Sequence, residues 1–494
     1  MERLLIANRG EIACRIIRAC RDRGIESVAV FSEPDRAARH VRMADRAVAL
    51  GGTTSAESYL RIERIVEAAR ESGADAIHPG YGFLSERAAF AKAVAGAGLI
   101  FVGPPAEVIE RMGSKTEARA LAERAGVPVV PGGIATTQDD ASLAALVKSV
   151  GVPALVKASA GGGGKGMRVA RTAAEAVEAI GAARREAVAA FGDGTLYVER
   201  LIEQPRHVEI QIIADTHGNA LHLFERDCSV QRRHQKIIEE SPSPALTAGL
   251  RERMGLAAVA LAKAAGYVNA GTIEFLVEGE GDDARFYFLE MNTRLQVEHP
   301  VTETVTGIDL VQAQLDVAEG KPLPWTQQSL TQRGHAIECR VYAEAPEQGF
   351  LPQAGRILYW QEPAGPGIRV DAGFETGSEV TVHYDPLLAK LVVSGATRTE
   401  AMQRALRALS EFVVLGVRTN IAFLSSVLRS ETFAQGRAHT RWVDGAIEEL
   451  AAPPSEDLAA IAAQAARLAP EAGDSGSSGA PRPDPWRDLT GWRL

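Results

Sequence analysis

Two β-like segments on either side of a short polar loop constrain the fold of this chain most. Thr272–Val277 and Arg285–Met291 are rich in β-branched and aromatic residues, and the loop between them consists mainly of Gly, Asp and Glu. This pattern predicts an antiparallel hairpin. If the turn is centred on Asp282, Glu274 lies directly opposite Glu290, with Cβ atoms about 5 Å apart.

The two facing carboxylates predict a metal site. At that distance they repel each other unless a cation lies between them. Asn292 is two residues beyond Glu290, on the same face of an extended strand, and adds a neutral amide oxygen. A set of ligands made only of oxygen atoms favours Mg²⁺ or Mn²⁺.

The segment after the hairpin alternates in polarity. From Glu290 to Glu298 every even-numbered position is polar: Glu, Asn, Arg, Gln and Glu. In an extended backbone these side chains share one face. One reading is the solvated face of an edge strand, but the apolar run Phe286–Leu289 just before it suits a strand buried on both sides. We therefore expect the polar face to emerge from a core into a cleft.

Residues 3–113 alternate short apolar runs with helical stretches. The clearest elements are Leu4–Ala7, a helix over 11–23, Ser27–Phe31 and Ala76–His78. This βαβ order predicts a parallel sheet with helices on its faces. A dinucleotide site is not expected there, because only Gly10 is present where the glycine fingerprint GxGxxG is needed.

A glycine-rich loop separates two further strands. Pro153–Lys157 and Met167–Ala170 have strand character, and the loop 158–166 lies between them. A strand follows this loop, whereas dinucleotide and Walker A loops are followed by a helix. The pattern indicates a flap whose backbone N–H groups cover phosphates, with Lys157 as a point charge. An exposed surface hairpin is the alternative.

Three shorter segments carry weaker signals. Tyr197–Ile202 is an apolar strand whose Glu199 can face a purine edge. Arg206–Gln211 alternates with period two, which predicts a half-buried strand. The segment 225–236 concentrates basic residues and His, and is either a solvated charge run or an anion site.

The composition excludes several functions. The chain has 54 basic and 63 acidic side chains, a net charge of −9, which gives no general attraction to nucleic acid. Cys14, Cys20, Cys228 and Cys339 form no CxxC pair and are too few for a disulfide framework. Leu4–Ala7 is too short for a signal peptide, and no 18-residue apolar stretch exists. We expect a cytoplasmic location and no membrane contact.

In order and spacing these motifs resemble the biotin carboxylase branch of the ATP-grasp ligases. The resemblance extends from Met1 to about residue 446, and it depends on Lys115, Lys157 with the GGGGKG loop, Glu199, RDCSVQRRHQK and EMNTRLQVEHPVTE. It implies an α/β fold with three domains: a Rossmann-like domain at 1–113, an ATP-grasp domain at 114–312 with a mobile lid near 131–203, and a C-terminal α/β domain at 331–446. The last segment, 450–494, is expected to be a linker or tail.

The resemblance implies an activity and its partners. ATP, with Mg²⁺ or Mn²⁺ and two ions expected, phosphorylates bicarbonate to carboxyphosphate, whose breakdown delivers CO₂ to N1′ of biotin. This is the first half-reaction of an acyl-CoA carboxylase, of the methylcrotonyl-CoA or propionyl-CoA type. The implied partners are a biotin carboxyl carrier domain or protein and a carboxyltransferase subunit, and a homo-oligomer is allowed.

The resemblance also implies roles for individual residues. Positions that match ATP-binding residues are Lys115, Lys157, Gly163, Gly164, Glu199, Leu201, His207, Gln231 and His234, and the metal ligands match Glu274, Glu290 and Asn292. Bicarbonate is expected among Lys236, Arg294, Gln296, the backbone of Val297, and Glu298 as general base. Arg340 matches the arginine that stabilises the enolate-like ureido oxygen of biotin, and Tyr81 and Gly82 match a loop beside that pocket.

The biotin attachment site leaves two alternatives. None of the seven methionines is followed by Lys, so the usual Met-Lys biotinylation site is absent. Biotin then arrives on another chain, or this sequence is a fragment of a longer subunit. The Ser, Gly and Pro-rich segment 473–485 resembles a linker, and the residues after it resemble the entry to the region that follows the carboxylase domain in acyl-CoA carboxylase α subunits.

Two other functions remain open at this stage. Another ATP-grasp ligase, which joins a carboxylate to an amine, would share the nucleotide site but would not need Arg340 and Lys236 around bicarbonate and biotin. A nucleotide-binding regulatory protein would keep the fold without the base, although Glu298 and both metal carboxylates are present here.

Overall fold

A computed structural model describes residues 1–159 and 166–451. The chain divides into two units, Met1–Ala451 and Ala452–Leu494. Gly163 and Gly164, and the predicted tail from residue 452 on, lie outside the described residues. None of the described helices has the length and apolar character needed to cross a bilayer.

The N-terminal residues form a parallel sheet, as predicted. Its strands are β1 (Arg3–Ile6), β2 (Glu26–Phe31), β3 (Arg46–Ala49), β4 (Ala76–His78) and β5 (Ile100–Phe101), and its helices are α1 (Gly10–Arg23), α2 (Arg39–Met43), α3 (Ile62–Ser72) and α4 (Ala88–Gly96). The strand order is β3-β2-β1-β4-β5, with every pair parallel. The crossover helices cover the sheet, as βαβ connections require.

Side chains that follow β1 and β2 are paired with each other. Beyond the carboxyl ends of β1 and β2, Arg9 donates two hydrogen bonds to Asp35, at 2.6 and 2.7 Å. The Tyr59 hydroxyl also donates to Asp35, at 2.6 Å. The guanidinium of Arg9 stacks on the ring of Tyr384, 4.2 Å from its centroid.

A small antiparallel sheet follows helices α5 (Ala106–Gly113) and α6 (Lys115–Arg124). It contains β6 (Gly132–Ile134), β7 (Ala154–Ala158), β8 (Met167–Ala170) and β9 (Leu196–Arg200) in the order β6-β9-β7-β8, with helices α7 (Asp140–Val150) and α8 (Ala176–Phe191). Lys157 pairs with Met167, so the strand after the glycine loop returns along the first, as predicted. The sheet and its two helices share a separate apolar core.

The remaining strands form one large sheet and several two-stranded ribbons. The first group is β10 (Arg206–Ala214), β11 (Ala220–Arg232), β12 (Gln235–Ser241), α9 (Ala248–Ala265), β13 (Asn269–Glu278), β14 (Arg285–Asn292), α10 (His299–Thr306) and α11 (Leu310–Ala318). The second group is β15 (His335–Tyr342), β16 (Glu344–Ala345), β17 (Leu351–Pro352), β18 (Gly355–Arg356), β19 (Tyr359–Gln361), β20 (Ile368–Ala372), β21 (Glu379–Val380), β22 (Leu387–Gly395), α12 (Arg398–Glu411), β23 (Val413–Leu415), α13 (Ile421–Arg429), α14 (Glu431–Ala434), α15 (Trp442–Gly445) and α16 (Ile447–Leu450).

The large sheet has eight strands in the order β14-β13-β10-β11-β12-β15-β22-β20. Its first five strands in that order belong to the predicted ATP-grasp region, and its last three to the predicted C-terminal region. Antiparallel pairing between β12 and β15 joins the two regions. Side chains from both regions therefore occupy adjacent positions on one continuous surface.

Helix α9 supports the strands that carry the predicted metal site. Thr247 accepts a hydrogen bond from the backbone N–H of Leu250 at its start, and Gly266 ends it in the left-handed conformation. Its buried stripe has helical spacing and consists of Leu250, Met254, Ala258, Leu261 and Ala262. This stripe packs against Ile210 and Ile273 of β10 and β13, where each fully buried Leu contributes about 1.5–3 kcal/mol.

The hairpin register confirms the predicted pairing at the site. Glu274 lies opposite Glu290, and Thr272 lies opposite Asn292. A β-bulge between Glu274 and Phe275 changes the register by one residue, so that on the turn side Phe275 lies opposite Phe288. The two carboxylates therefore face each other where the strand register is regular.

The alternating run is extended over only part of its predicted length. Strand β14 ends at Asn292, and α10 starts at His299 with Pro300 in its first turn. Beyond Asn292 the prediction of an extended strand is wrong, because these residues form the loop that leads into α10. β14 is an edge strand, but its polar end lines a cleft.

We predict that Gly373→Ala destabilises the contact between the start of α1 and the residue that follows β20. A Cβ at this position would lie 2.7 Å from the backbone N of Glu11 and 2.8 Å from the carbonyl carbon of Gly10. Because both contacts are to backbone, α1 must shift, at a cost of about 1–3 kcal/mol. The melting temperature should fall. Gly445→Ala is the matched control, since a Cβ there meets no atom within 4 Å; equal melting temperatures for the two variants would contradict the prediction.

Candidate active site

The predicted site residues converge on one cleft of about 940 Å³. The cleft lies between the small sheet and the polar surface of the large sheet. Its lining includes these predicted residues: Lys115, Lys157, Glu199, Leu201, His207, Gln231, His234, Lys236, Glu274, Glu290, Asn292, Arg294, Gln296, Val297, Glu298 and Arg340. Tertiary structure thus brings together residues from strand β7, from strands β9 to β15 and from the loop after β14.

Lysine side chains mark one end of the cleft. The Lys157 ammonium lies 2.6 Å from Glu199 and over the ring of Tyr197. Desolvation at the cleft wall lowers the pKa of Lys115, although the residue is exposed, and the neighbouring charge of Lys157 lowers it further. Two ammonium groups that repel each other favour an anion between them, so this end suits phosphate groups.

Carboxylates on three adjacent strands form the middle of the site. Glu209 on β10 lies opposite Glu274 on β13, which lies opposite Glu290 on β14. Desolvation within the cleft raises the pKa of Glu290, although the residue is exposed at the cleft surface, and the charge of Glu274 adds to this effect. Burial also disfavours the ionised form of Glu274, but Lys236 and His207 outweigh it and hold its pKa well below the usual value. Glu274 is therefore ionised at neutral pH.

Lys236 connects these carboxylates to the far end of the cleft. Its ammonium contacts Glu209 at 2.5 Å, Glu274 at 2.8 Å and Glu298 at 2.6 Å. Burial disfavours its charge, but the three carboxylates outweigh burial and raise the pKa of Lys236 well above the usual value. The lysine is therefore a permanent cation in the centre of the site.

The loop after β14 is held by contacts from other elements. Arg294 donates to Glu86 at 2.9 Å and to the side-chain oxygen of Asn292 at 3.1 Å. Gln296 donates to Glu274 at 2.9 Å. Although the backbone is no longer extended, Arg294, Gln296 and Glu298 all reach the same cleft.

Glu298 lies between two cations. One carboxylate oxygen accepts from Lys236 at 2.6 Å, and the other accepts from Arg340 at 3.1 Å. Burial disfavours ionisation, but Lys236 and then Arg340 outweigh it and lower the pKa of Glu298 far below the usual value. Glu298 is therefore ionised at neutral pH.

Arg340 lies on β15, the strand that pairs with β12. It donates to Glu239 at 2.6 Å as well as to Glu298. Glu239 lies opposite Glu338 in the pairing of β12 with β15. Burial raises the pKa of Glu239 to about 7, while Arg340 acts in the opposite direction. The guanidinium is thus oriented by two carboxylates at the end of the cleft.

Tyr81 and Gly82 lie outside the lining of this cleft. The backbone carbonyl of Tyr81 accepts from Asn8 at 2.7 Å, and its ring centroid lies 5.9 Å from the Lys390 ammonium. Gly82 has φ of 66°, which favours glycine. The structure therefore places this pair in a loop of the N-terminal domain.

Sequence reasoning missed several residues that hold the site together. Arg226 is fully buried and donates to Glu209, Gln211, Thr272, Gln296 and Thr302. Glu209 and Gln211 alternate on β10, but both faces of that strand are buried, so the prediction of a half-buried strand is wrong. Much of the segment 225–236 is also buried, because it forms β11 and β12 in the middle of the sheet, although Arg233 and His234 are exposed.

The fold and the site together define an ATP-dependent ligase. Comparison with known families gives three matches: "Biotin carboxylase, N-terminal domain" over residues 1–109, "Carbamoyl-phosphate synthase L chain, ATP binding domain" over 114–326, and "Biotin carboxylase C-terminal domain" over 338–445. The chain belongs to the biotin carboxylase family.

Individual relatives agree with this assignment. Biotin carboxylase 1 of Bacillus subtilis is 50% identical over 444 residues, which cover 90% of this chain and 98% of the relative. The α subunit of the mitochondrial methylcrotonoyl-CoA carboxylase of Glycine max is 50% identical over 450 residues, which cover 91% of this chain but 61% of that subunit. The chain thus spans about three fifths of the latter protein.

A solved structure also matches closely. The biotin carboxylase domain dimer of Hydrogenobacter thermophilus 2-oxoglutarate carboxylase was solved with MgADP, ADP and bicarbonate. It has a TM-score of 0.86 and 44% sequence identity, and the match covers 92% of this chain and 99% of that chain. The predicted three-domain architecture is confirmed by the family matches and by such structures.

We predict a distinct pH dependence of stability for Glu338→Gln. Burial raises the pKa of Glu338 well above the usual carboxyl value, so the folded protein holds a proton that the unfolded chain releases above about pH 4.3. Between the pKa of Glu338 in the unfolded chain and its raised pKa in the folded protein, the parent therefore loses stability as the pH rises. Glutamine does not titrate, so the variant lacks this loss. The melting temperature of the variant minus that of the parent should increase from pH 5 to pH 8.

The matched control is Glu63→Gln, because Glu63 has 79% of its side chain exposed. Its melting temperature should differ from that of the parent by the same amount at both pH values. A difference for Glu338→Gln that stays constant or decreases with pH would refute the assignment of a protonated Glu338.

Proposed function

We propose that this chain carboxylates biotin with ATP and bicarbonate, the first half-reaction of an acyl-CoA carboxylase. One observation carries this proposal: Glu298 lies between Lys236, at 2.6 Å, and Arg340, at 3.1 Å. A base held between two cations suits a reaction that first deprotonates an anion and then stabilises negative charge on a second substrate.

The nucleotide is proposed to bind at the lysine end of the cleft. Lys115 and Lys157 neutralise phosphate charge, and the neighbouring β7–β9 pairing brings Glu199 to the same place. The family resemblance supports the same use of Leu201, His207, Gln231 and His234, which line the cleft, and of Gly163 and Gly164. Phosphoryl transfer depends mainly on such positioning and charge neutralisation.

The residues in the middle of the site fit Mg²⁺ or Mn²⁺. Glu274, Glu290 and Asn292 offer oxygen ligands only, and they lie at adjacent positions of one hairpin. We propose that they hold the metal, with two ions as in the expected MgATP chemistry. When bound, the metal neutralises phosphate charge and orients the γ-phosphoryl group.

Bicarbonate is proposed to bind beside the metal, between Lys236 and Arg294. Glu298, which is ionised and lies 2.6 Å from the Lys236 ammonium, is the proposed acceptor of the bicarbonate proton. The deprotonated oxygen attacks the γ-phosphorus, the bond to the ADP oxygen breaks, and carboxyphosphate forms. Gln296 and the backbone of Val297 complete the proposed bicarbonate contacts.

Biotin is proposed to bind next to Arg340. Carboxyphosphate breaks down to CO₂ and phosphate. The released phosphate accepts the N1′ proton of biotin, and N1′ then bonds to CO₂. The negative charge that develops on the ureido oxygen is stabilised by the guanidinium of Arg340. Tyr81 and Gly82 are proposed to lie beside the bound biotin.

The proposed partners follow from this half-reaction. We infer that biotin is presented by a carrier domain or protein and that carboxybiotin passes to a carboxyltransferase subunit. The dimer formed by the Hydrogenobacter domain supports a homo-oligomer. We also propose domain bounds of 1–113, 114–312 and 331–446, with a lid at about 131–203. A cytoplasmic location is supported by four cysteines that are all free.

We predict that Glu298→Gln abolishes bicarbonate-dependent ATP cleavage. The change removes the proton acceptor but keeps the side-chain shape, and loss of a general base costs about 10²–10⁴-fold in rate. ADP release should be measured with and without bicarbonate, and then with free biotin, together with the Kd for ADP. The parent should respond to bicarbonate, and the variant should keep its nucleotide affinity.

The control is Glu252→Gln, an exposed residue on α9 that should behave as the parent. Near-normal turnover of Glu298→Gln would reject Glu298 as the base. Release of ADP by the parent that ignores both bicarbonate and biotin would refute the proposed function and would favour another ATP-grasp ligase.

Arg340→Ala tests the biotin step separately. Because the guanidinium is proposed to stabilise charge on the ureido oxygen, free-biotin carboxylation should fall by about 10²–10³-fold. Carboxybiotin formation should be measured beside the exposed control Arg36→Ala, with the melting temperature of each variant. If Arg340→Ala carboxylates biotin at the parent rate, the proposed role of this arginine is wrong.

A further inference from the structure

The backbone on both sides of Val297 is held by side chains outside the proposed substrate contacts. The carbonyl of Gln296 belongs to the same peptide plane as the N–H of Val297, and it accepts from the Nδ1 atom of His299 at 2.8 Å. The carbonyl of Val297 belongs to the next plane and accepts from the Lys390 ammonium at 2.9 Å. Each peptide plane thus has its own anchor.

His299 has a defined tautomer. A carbonyl oxygen can only accept, so Nδ1 must carry the hydrogen. The ring is fully buried, and burial, with the charge of Lys390, lowers the pKa of His299 well below the usual value. Its Nε2 atom has no hydrogen-bond partner among the described residues. The neutral ring therefore acts here as a donor to Gln296.

Lys390 is a fully buried cation that reaches the loop from the C-terminal region. It lies on β22 opposite Arg340 on β15, and its ammonium is 3.2 Å from Glu11 on α1. Burial of an ammonium is costly unless it is paired and hydrogen-bonded. Here the pairing joins α1, β22 and the loop before α10.

We propose that His299 and Lys390 are positioning residues that fix the two peptide planes flanking Val297 and so aim its backbone N–H at bicarbonate. This inference rests on the proposed function. Neither residue lines the cleft, so their effect passes through the backbone. Because Lys390 also contacts Glu11 and lies beside the ring of Tyr81, the same contact ties the bicarbonate loop to the N-terminal domain.

A pair of His299 variants tests the first anchor. Asn places an amide N–H close to the position of Nδ1, whereas Gln places it nearer the position of Nε2. We expect His299→Gln to raise the KM for bicarbonate by about 10–100-fold, since misplacement of a binding group by about 1 Å has effects of this size. His299→Asn should restore the KM to within about threefold of the parent. The KM for MgATP should stay unchanged in both variants.

Lys390→Met and Lys390→Arg test the second anchor. Methionine removes the donor and should raise the KM for bicarbonate by about 10–100-fold, while arginine, which keeps a donor and the charge, should restore part of the loss. Lys321→Met is the control, because 52% of the Lys321 side chain is exposed. If Lys390→Met does not fold, the His299 pair decides, because it leaves the buried charge pair intact.

Three outcomes separate the inference from the proposed function. A parent with no bicarbonate-dependent ADP release would refute the proposed function itself. An active parent with an unchanged KM for bicarbonate in folded His299→Gln and Lys390→Met would overturn the positioning role. Equal increases in the KM for bicarbonate and for MgATP, with a lower melting temperature, would show a general structural role and would also overturn it.

Discussion

The buried ammonium of Lys236 is the interaction on which the site depends. Glu209, Glu274 and Glu298 come from different elements, and each lies within 2.8 Å of this ammonium. Three carboxylates at such short distances and shielded from water would repel one another strongly if no cation lay between them. Lys236 therefore allows Glu274 of the proposed metal site and Glu298, the proposed base, to lie side by side around one ammonium group. Their separate roles depend on one shared positive charge.

The continuous sheet extends this arrangement to a second substrate. Pairing of β12 with β15 places Arg340 beside Glu239 of β12, and its guanidinium also reaches Glu298 in the loop before α10, although Arg340 and Glu298 belong to different predicted domains. Sheet pairing fixes neighbouring side chains more firmly than contact between separate surfaces does, because backbone hydrogen bonds set the register. The proposed bicarbonate and biotin sites are thus held at a constant distance.

Prediction from sequence was most successful where the contacts are local. The facing of Glu274 and Glu290 follows from a short hairpin, whose turn limits the register to few choices. Glu209 lies opposite Glu274 by the same rule, yet it was missed, because β10 and β13 are separated by two strands and a helix along the chain. Nothing in the alternation of β10 indicates which strand will be its partner.

Local sequence patterns were sufficient to predict the parallel N-terminal sheet, the strand that returns after the glycine loop, the facing carboxylates and the residue types of the cleft. These depend on periodicity, turn chemistry and short-range pairing, which are written in neighbouring residues. Tertiary structure alone decided the partners of Lys236 and the burial of Arg226. Tertiary structure also determines the hydrogen bonds that His299 and Lys390 donate to the backbone carbonyls around Val297. Such contacts join residues far apart in the chain, and only packing of the whole sheet defines them.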